Sequence, residues 1–286
     1  MNLNNYEQLN KDFIENFDEK DISFGVIATL GRSGSLLLQS FFDSHEQILM
    51  IPTILPIYQS WFEEYNELGN HSNTVNSFFD SNIFKTDWFV NKLGEDCKYK
   101  FDLKINSLKE KTLKIFKLVE FNRKNFILSL HLAYAYIFDI DITKIKSIVL
   151  HEHYLGAFNN AQGIRNDSLT AYKSYLFSNN SNLFIKAQKD FKNVKFMITI
   201  RNPYDSYLSF INLMNYDSNI IKPDRFWDHI FYFFKVYKDF KEILLEGELL
   251  SKNNLIIIEF EKIHIETKMI MKKLSKLINI EYKDSL

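Results

Sequence analysis

The chain has 286 residues, 46% hydrophobic and 25% charged, which suits one globular domain with a sizeable insertion. Its net charge of -1 gives no bulk attraction to nucleic acid or to an acidic membrane surface. The single cysteine, Cys97, excludes an internal disulfide, so nothing demands an oxidising compartment.

The N-terminal stretch MNLNNYEQLNKDFIENFDEKDIS is polar, partly helical in pattern, and lacks the apolar core of a signal peptide. With no such leader, the expectation is a cytoplasmic protein. Phe24 to Leu30 then reads as a strand, and Ser35 to Ser44 as a helix with Leu36, Leu37, Leu38, Phe41 and Phe42. Between them lies Gly31-Arg32-Ser33-Gly34-Ser35. A glycine loop between strand and helix aims backbone N–H groups and a helix N-terminus at one point, which makes an anion site. The alternative is an ordinary tight turn. The spelling argues against a Walker A loop, because no lysine follows Gly34 and position 29 is Thr where that pattern needs glycine.

From about Ile51 to Ile142 the pattern is mostly helical, with Tyr58, Trp61, Phe62 and Tyr65 at three- and four-residue spacing. Phe126 to Phe138 is nearly apolar but too short to span a bilayer, and reads as a buried helix. Lys144 to Tyr154 is a β-branched strand ending in His151-Glu152-His153. Asn182 to Lys192 reads as a short helix, and Val194 to Pro203 as a buried strand ending at Arg201. Helices follow at Tyr204 to Met214 and Asp224 to Leu245, the second amphipathic. A strand at Asn254 to Ile263 and a closing helix at Ile265 to Asn279 complete the chain.

Short apolar strands alternating with helices predict an α/β fold: a parallel β-sheet flanked by helices, with a helical insertion after the first βα unit. Ligands of such sheets bind at the carboxyl ends of the strands. The Gly31–Ser35 loop, the His151–His153 run and Arg201 all fall there. Arginine presents a planar fork suited to phosphate, and Ser209, eight residues on, can add a hydroxyl. The alternative for Arg201 is a strand-end arginine paired to a surface carboxylate.

Taken in order, GRSGSLLLQSFFDSH, RNPYDSYLS and NLIIIEFEKI resemble the motifs of sulfotransferases that use 3′-phosphoadenylyl sulfate (PAPS). The resemblance covers roughly residues 22–50 and 144–283, with Phe260 where the family carries tyrosine. It implies a P-loop-like sulfotransferase fold and a single domain over residues 1–286, in which 51–142 shapes the acceptor side. It also implies that Gly31, Arg32, Ser33, Gly34, Ser35 and Leu36 cradle the 5′-phosphosulfate, while Arg201 and Ser209 clamp the 3′-phosphate. Arg32 would stabilise charge on the bridging oxygen. His153 stands where some members carry the catalytic base, and His151 where they carry a lysine; the alternative is that they cap the strand. His45 reads as structural. Many members carry a further Arg/Lys-Gly phosphate loop near the C-terminus; this chain stops at Leu286 before it, either truncated or doing without it.

The implied chemistry is sulfuryl transfer from PAPS, leaving PAP and using no metal, to a hydroxyl or amine of a small-molecule or glycan acceptor. No nucleic-acid partner and no membrane span are expected, and the sequence is silent on oligomeric state. The competing readings are a non-catalytic protein that keeps this fold as an interaction module, and a metal-dependent nucleotide kinase. The second is opposed by the missing lysine and by arginine where a metal-binding aspartate would stand.

Overall fold

The computed structural model describes residues 3–17, 21–29, 33–43, 45–55, 57–58, 69–81, 92–93, 99–100, 102, 104–153, 182–206, 208–209 and 254–284; at 3–5, 29, 92–93, 99–100, 153 and 182–185 it describes the backbone alone. In chain order the elements are α1 (Leu3–Glu15), β1 (Ser23–Thr29), α2 (Ser35–Asp43), β2 (Ile48–Met50), α3 (His71–Asp80), β3 (Lys92–Leu93) and β4 (Tyr99–Lys100). There follow α4 (Ile105–Phe116), α5 (Arg123–Ile137), β5 (Ser147–His153), α6 (Asn182–Asp190), β6 (Lys195–Ile200), β7 (Leu255–Glu259), α7 (Phe260–Ile265) and α8 (Thr267–Leu277).

Five strands form one sheet in the order β2-β5-β1-β6-β7, every pair parallel. The predicted α/β class holds, and all four predicted strands are present; β1 begins one residue early, at Ser23, and β5, β6 and β7 are shorter than predicted. Three differences stand out. The sheet gains β2 at one edge, from Ile48-Leu49-Met50, just before the region read as helical. A two-residue antiparallel pair, β3 with β4, interrupts that region. The last strand stops at Glu259, and Phe260 already begins a helix. The amphipathic run 224–245 lies outside the described residues.

Over β1, β5 and β6 both faces of the sheet are covered, as their continuously apolar runs require, while at the β7 edge Ile257 is 43% exposed. One face carries Phe24, Val26, Ile148, Leu150, Phe196 and Ile198 beneath the larger helical layer. There Phe24 stacks on Phe191 with ring centroids 3.7 Å apart. Helix α5 is buried without interruption from Phe126 to Ala135. An amphipathic helix shows one apolar stripe; one buried all round is packed on several sides. The other face carries Ile27, Val149 and Met197 against Leu38 and Phe42 of α2 and Met271, Leu274 and Ile278 at α8. Gly25 admits this close approach: a Cβ there would meet Met197 Cε at 3.0 Å. No helix of the described residues is long and apolar enough to cross a membrane.

Strand order decides where the chain leaves a cleft. From β1 the chain runs to β2 and returns to β5 on one side; from β6 it runs to β7 on the other. Loops leaving the carboxyl ends of β1 and β6 therefore diverge. A crevice at such a switch point is where open α/β sheets bind ligands.

Candidate active site at the switch point

The loop after β1 begins this site. Gly31 and Arg32 lie outside the described residues. Ser33 is fully buried, and its Oγ is 2.9 Å from Thr199 Oγ1 on β6. This bond ties the glycine loop to the neighbouring strand across the crevice. Thr199 is the one polar residue in the buried stretch Phe196–Thr199. A buried hydroxyl needs a partner, so it was the sequence signal for this link.

Gly34 closes the loop with φ +85, a left-handed conformation that glycine adopts without strain. Its carbonyl accepts from Leu38 N–H at 3.1 Å, the first turn of α2. By helix geometry the N–H groups of Ser35, Leu36 and Leu37 point back from α2 toward the loop. They carry the positive end of the helix dipole. Ser35 is buried and Leu36 is half exposed.

The second half of the site follows β6. Arg201 leaves the strand end with its side chain 26% exposed. Asn202 then turns the chain: its Oδ1 accepts from Tyr204 N–H at 2.9 Å, and its carbonyl accepts from Ser206 N–H at 2.9 Å. Pro203 opens the helical turn at 203–206, where proline's missing N–H loses nothing. Ser209 falls in the helical pair 208–209 and is partly buried. Asn-Pro is thus a helix start as well as a strand stop.

Phe260, the first residue of α7, joins the two halves. A Cβ on Gly34 would lie 2.0 Å from Phe260 Cδ2 and 2.4 Å from Cε2, so the ring lies directly against the loop glycine. The guanidinium carbon of Arg201 sits 4.8 Å from the centre of the same ring. Glu261 flanks the arginine, with Oε1 3.9 Å from Arg201 Nε and 3.4 Å from Asn202 N. Both sequence alternatives for Arg201 therefore stay in play here: it has a surface carboxylate beside it, and through Phe260 it stands next to the glycine loop at the strand ends.

The register brings a third group to the same edge. Thr29 is flanked by His153 on β5 and by Thr199 on β6. With strands about 4.8 Å apart, His153 lies roughly 10 Å from Thr199 along the sheet. Only the backbone of His153 is described. His151, two residues back, is 1% exposed under α2, and its Nδ1–H donates to Gln39 Oε1 at 2.5 Å. It therefore lies inside the layer below the strand end. Glu152 alternates to the other face, where its buried Oε2 accepts from Tyr58 N–H at 2.9 Å. That face also holds a largely but not fully buried pair: Arg123 donates to Asp190 twice, at 2.6 and 2.9 Å. Burial, and then Asp190, hold the Tyr58 hydroxyl far above its ordinary range.

His45 is buried away from the crevice. Its Nδ1 accepts from Gln47 N–H at 3.1 Å, so the proton sits on Nε2 and is donated to the Glu281 carbonyl at 2.9 Å. The histidine of the D-S-H run thus fastens the C-terminal segment to the turn before β2. Among the described residues no cluster of metal-ligating side chains forms.

No family model matches the chain, and no curated protein does. Among solved structures, the chain is similar to a sulfotransferase domain from the curacin biosynthetic pathway. Identity is 14% over 92% of this chain and 76% of that one, with a TM-score of 0.48. It is also similar to a sulfotransferase domain of the Synechococcus olefin synthase, at 13% identity over 94% and 77% and a TM-score of 0.43. A sulfotransferase from Mycobacterium avium gives 10% over 98% and 69%, with a TM-score of 0.44. At this level of likeness, function has to be read from the residues of the site.

Proposed function

We propose that this protein is a PAPS-dependent sulfotransferase acting on a hydroxyl or amine of a small-molecule or glycan acceptor. One observation carries the reading. Two sequence motifs, each suited to an oxyanion, meet at the switch-point crevice through the Ser33–Thr199 bond and the Gly34–Phe260–Arg201 stack. Two anion-binding elements at one crevice suit a nucleotide with phosphates at two ends. The residues fit such a ligand: a left-handed glycine at a helix start on one side, a guanidinium on the other.

In this reading the amides of residues 31–36 (Gly31, Arg32, Ser33, Gly34, Ser35 and Leu36) hold the 5′-phosphosulfate. Arg201 and Ser209 hold the 3′-phosphate. The bound donor supplies a sulfuryl group whose bond to the bridging phosphate oxygen breaks as the acceptor's bond to sulfur forms. His153 takes the acceptor's proton, its backbone standing on the same strand-end row as Thr29 and Thr199. Arg32 stabilises the charge left on the bridging oxygen. His151 supports from beneath, by holding Gln39 of the phosphate helix.

Thermal denaturation with PAP and with ATP–magnesium tests the reading. At a hundred times its dissociation constant, PAP adds about 2.7 kcal/mol, a rise of about 4–5 °C for a chain of this size. A rise with ATP–magnesium and none with PAP would overturn it. Transfer of labelled sulfate from PAPS to pooled glycans, lipids and phenols separates an enzyme from a non-catalytic binder, which would show the PAP shift without transfer.

A further inference from the structure

Phe260 has a position that neither anion motif explains. It belongs to α7, yet its ring touches the loop glycine and the strand-end arginine at once. The loop side of this contact leaves no slack. No side chain fits at Gly34 while the ring is there, since even a Cβ would lie 2.0 Å from it. The ring therefore fixes how far the loop can swing toward β7. The arginine side is softer. Guanidinium over an aromatic face is an attractive arrangement, and Glu261, 3.9 Å from Nε, pulls on the same group from outside the stack. His264 closes the assembly, its ring meeting Phe260 edge-on at 4.9 Å.

We propose that Phe260 is a positioning residue that couples the two anion-binding elements, so that the loop at Gly34 and the guanidinium of Arg201 act as one binding unit. The proposal rests on the reading of the crevice as a two-anion nucleotide site and adds to it a physical link between the two ends. An arginine at a strand end has several rotamers in reach. Stacked on Phe260, it is held near one of them before a ligand arrives, and that preorganisation lowers the entropy lost on binding. A loop pressed against the same ring is held in register with it. Removing the ring should loosen both ends together.

The test compares wild type, Phe260→Leu, Phe260→Tyr, Arg201→Ala and the double variant Phe260→Leu/Arg201→Ala. Calorimetry is run with PAP, adenosine 5′-phosphate and inorganic pyrophosphate, well below each variant's melting temperature. NMR of the free proteins provides a readout independent of any ligand. Wild type should show ring-current shifts at the Gly34 amide and the Arg201 side chain, lost in Phe260→Leu and kept in Phe260→Tyr. Phe260→Leu should weaken PAP by roughly threefold to thirtyfold, the weight of a cation–π contact desolvated under a ligand. In the Arg201→Ala background the same change should weaken PAP clearly less, because the coupling is already gone.

A lowered melting temperature with unchanged PAP affinity would make Phe260 a packing residue and overturn the proposal. So would additive losses in the double variant, or absent ring-current shifts in wild type. Wild type that binds pyrophosphate but not PAP sinks the nucleotide reading alone, and Phe260 is then judged on pyrophosphate. Wild type that binds neither sinks both.

Discussion

Gly34 shows how a single residue serves two constraints. Its φ of +85 needs glycine for backbone reasons, and the Phe260 ring needs it for space. The first constraint was legible in the sequence, because a glycine closing a strand-to-helix loop is there to turn the chain. The second was not, because the ring comes from the far end of the chain. Gly34→Ala should therefore do more than strain the backbone. Left-handed alanine alone costs about 1–2 kcal/mol, and the methyl must also push the ring away. We expect a loss of stability at least that large in urea titration, together with more than a tenfold loss of PAP affinity by calorimetry. Adding Phe260→Ala should recover part of the stability, since it relieves the clash but not the torsion, and should recover no affinity. An alanine variant that binds PAP like wild type would mean that the loop is no anion cradle. His151 teaches the converse lesson. The sequence placed it at a strand end as a catalytic candidate, while the strand's alternation and its register with Ile27 put it under α2, on Gln39.

At the scale of elements, what the sequence announced and what it hid follow one rule. Elements whose pattern is local and long were legible: β1, α2, α5, β5 and β6. Strand β2 was not, because three residues, Ile48-Leu49-Met50, are too few to show a period. The end of β7 was hidden differently. Ile258-Glu259-Phe260-Glu261 continues the strand with alternating apolar and charged residues, a strand's pattern, while from Phe260 the chain winds into α7. Turning there is what lays Phe260 on the loop. The D-S-H run is another element-scale device. His45 bridges the turn before β2 to the C-terminal segment, Gln47 Oε1 accepts from Glu281 N–H at 2.8 Å, and the Gln47 carbonyl accepts from Lys146 and Ser147. His45→Phe keeps a ring there but leaves the buried Gln47 N–H without its partner, while the Glu281 carbonyl, in an exposed residue, can turn to water. A buried group stranded this way costs about 1–3 kcal/mol. Urea denaturation should show a loss of that order, with PAP affinity nearly unchanged by calorimetry. A large loss of affinity at full stability would instead give His45 a role in the site.

For the molecule as a whole, the sheet divides the labour. One face, with α2 and α8, supports the proposed anion site; the other, with the larger helical layer, holds much of the buried apolar mass. That second layer contains His131, fully buried in α5 with Nδ1–H donating to the Ile127 carbonyl at 2.8 Å. Burial disfavours its charged form and lowers its pKa to about 4 from 6.5. The sign follows from proton counting. Between pH 4 and 6.5 the unfolded chain binds a proton here that the folded chain refuses, so stability is complete above about pH 6.5 and is lost as pH falls toward 4. At about 1.4 kcal/mol per pKa unit, this histidine withdraws stability on the order of 2–3 kcal/mol between pH 7.5 and 4.5. Urea titrations of wild type and His131→Leu at both pH values measure it. Carboxylates add a pH dependence common to both proteins, so the difference between their slopes isolates the histidine. His131→Leu should lose roughly 2–3 kcal/mol less than wild type on acidification, whatever its stability at pH 7.5. Equal losses would mean that His131 takes up its proton inside the folded molecule, and that the layer over β5 opens to water well before the protein unfolds.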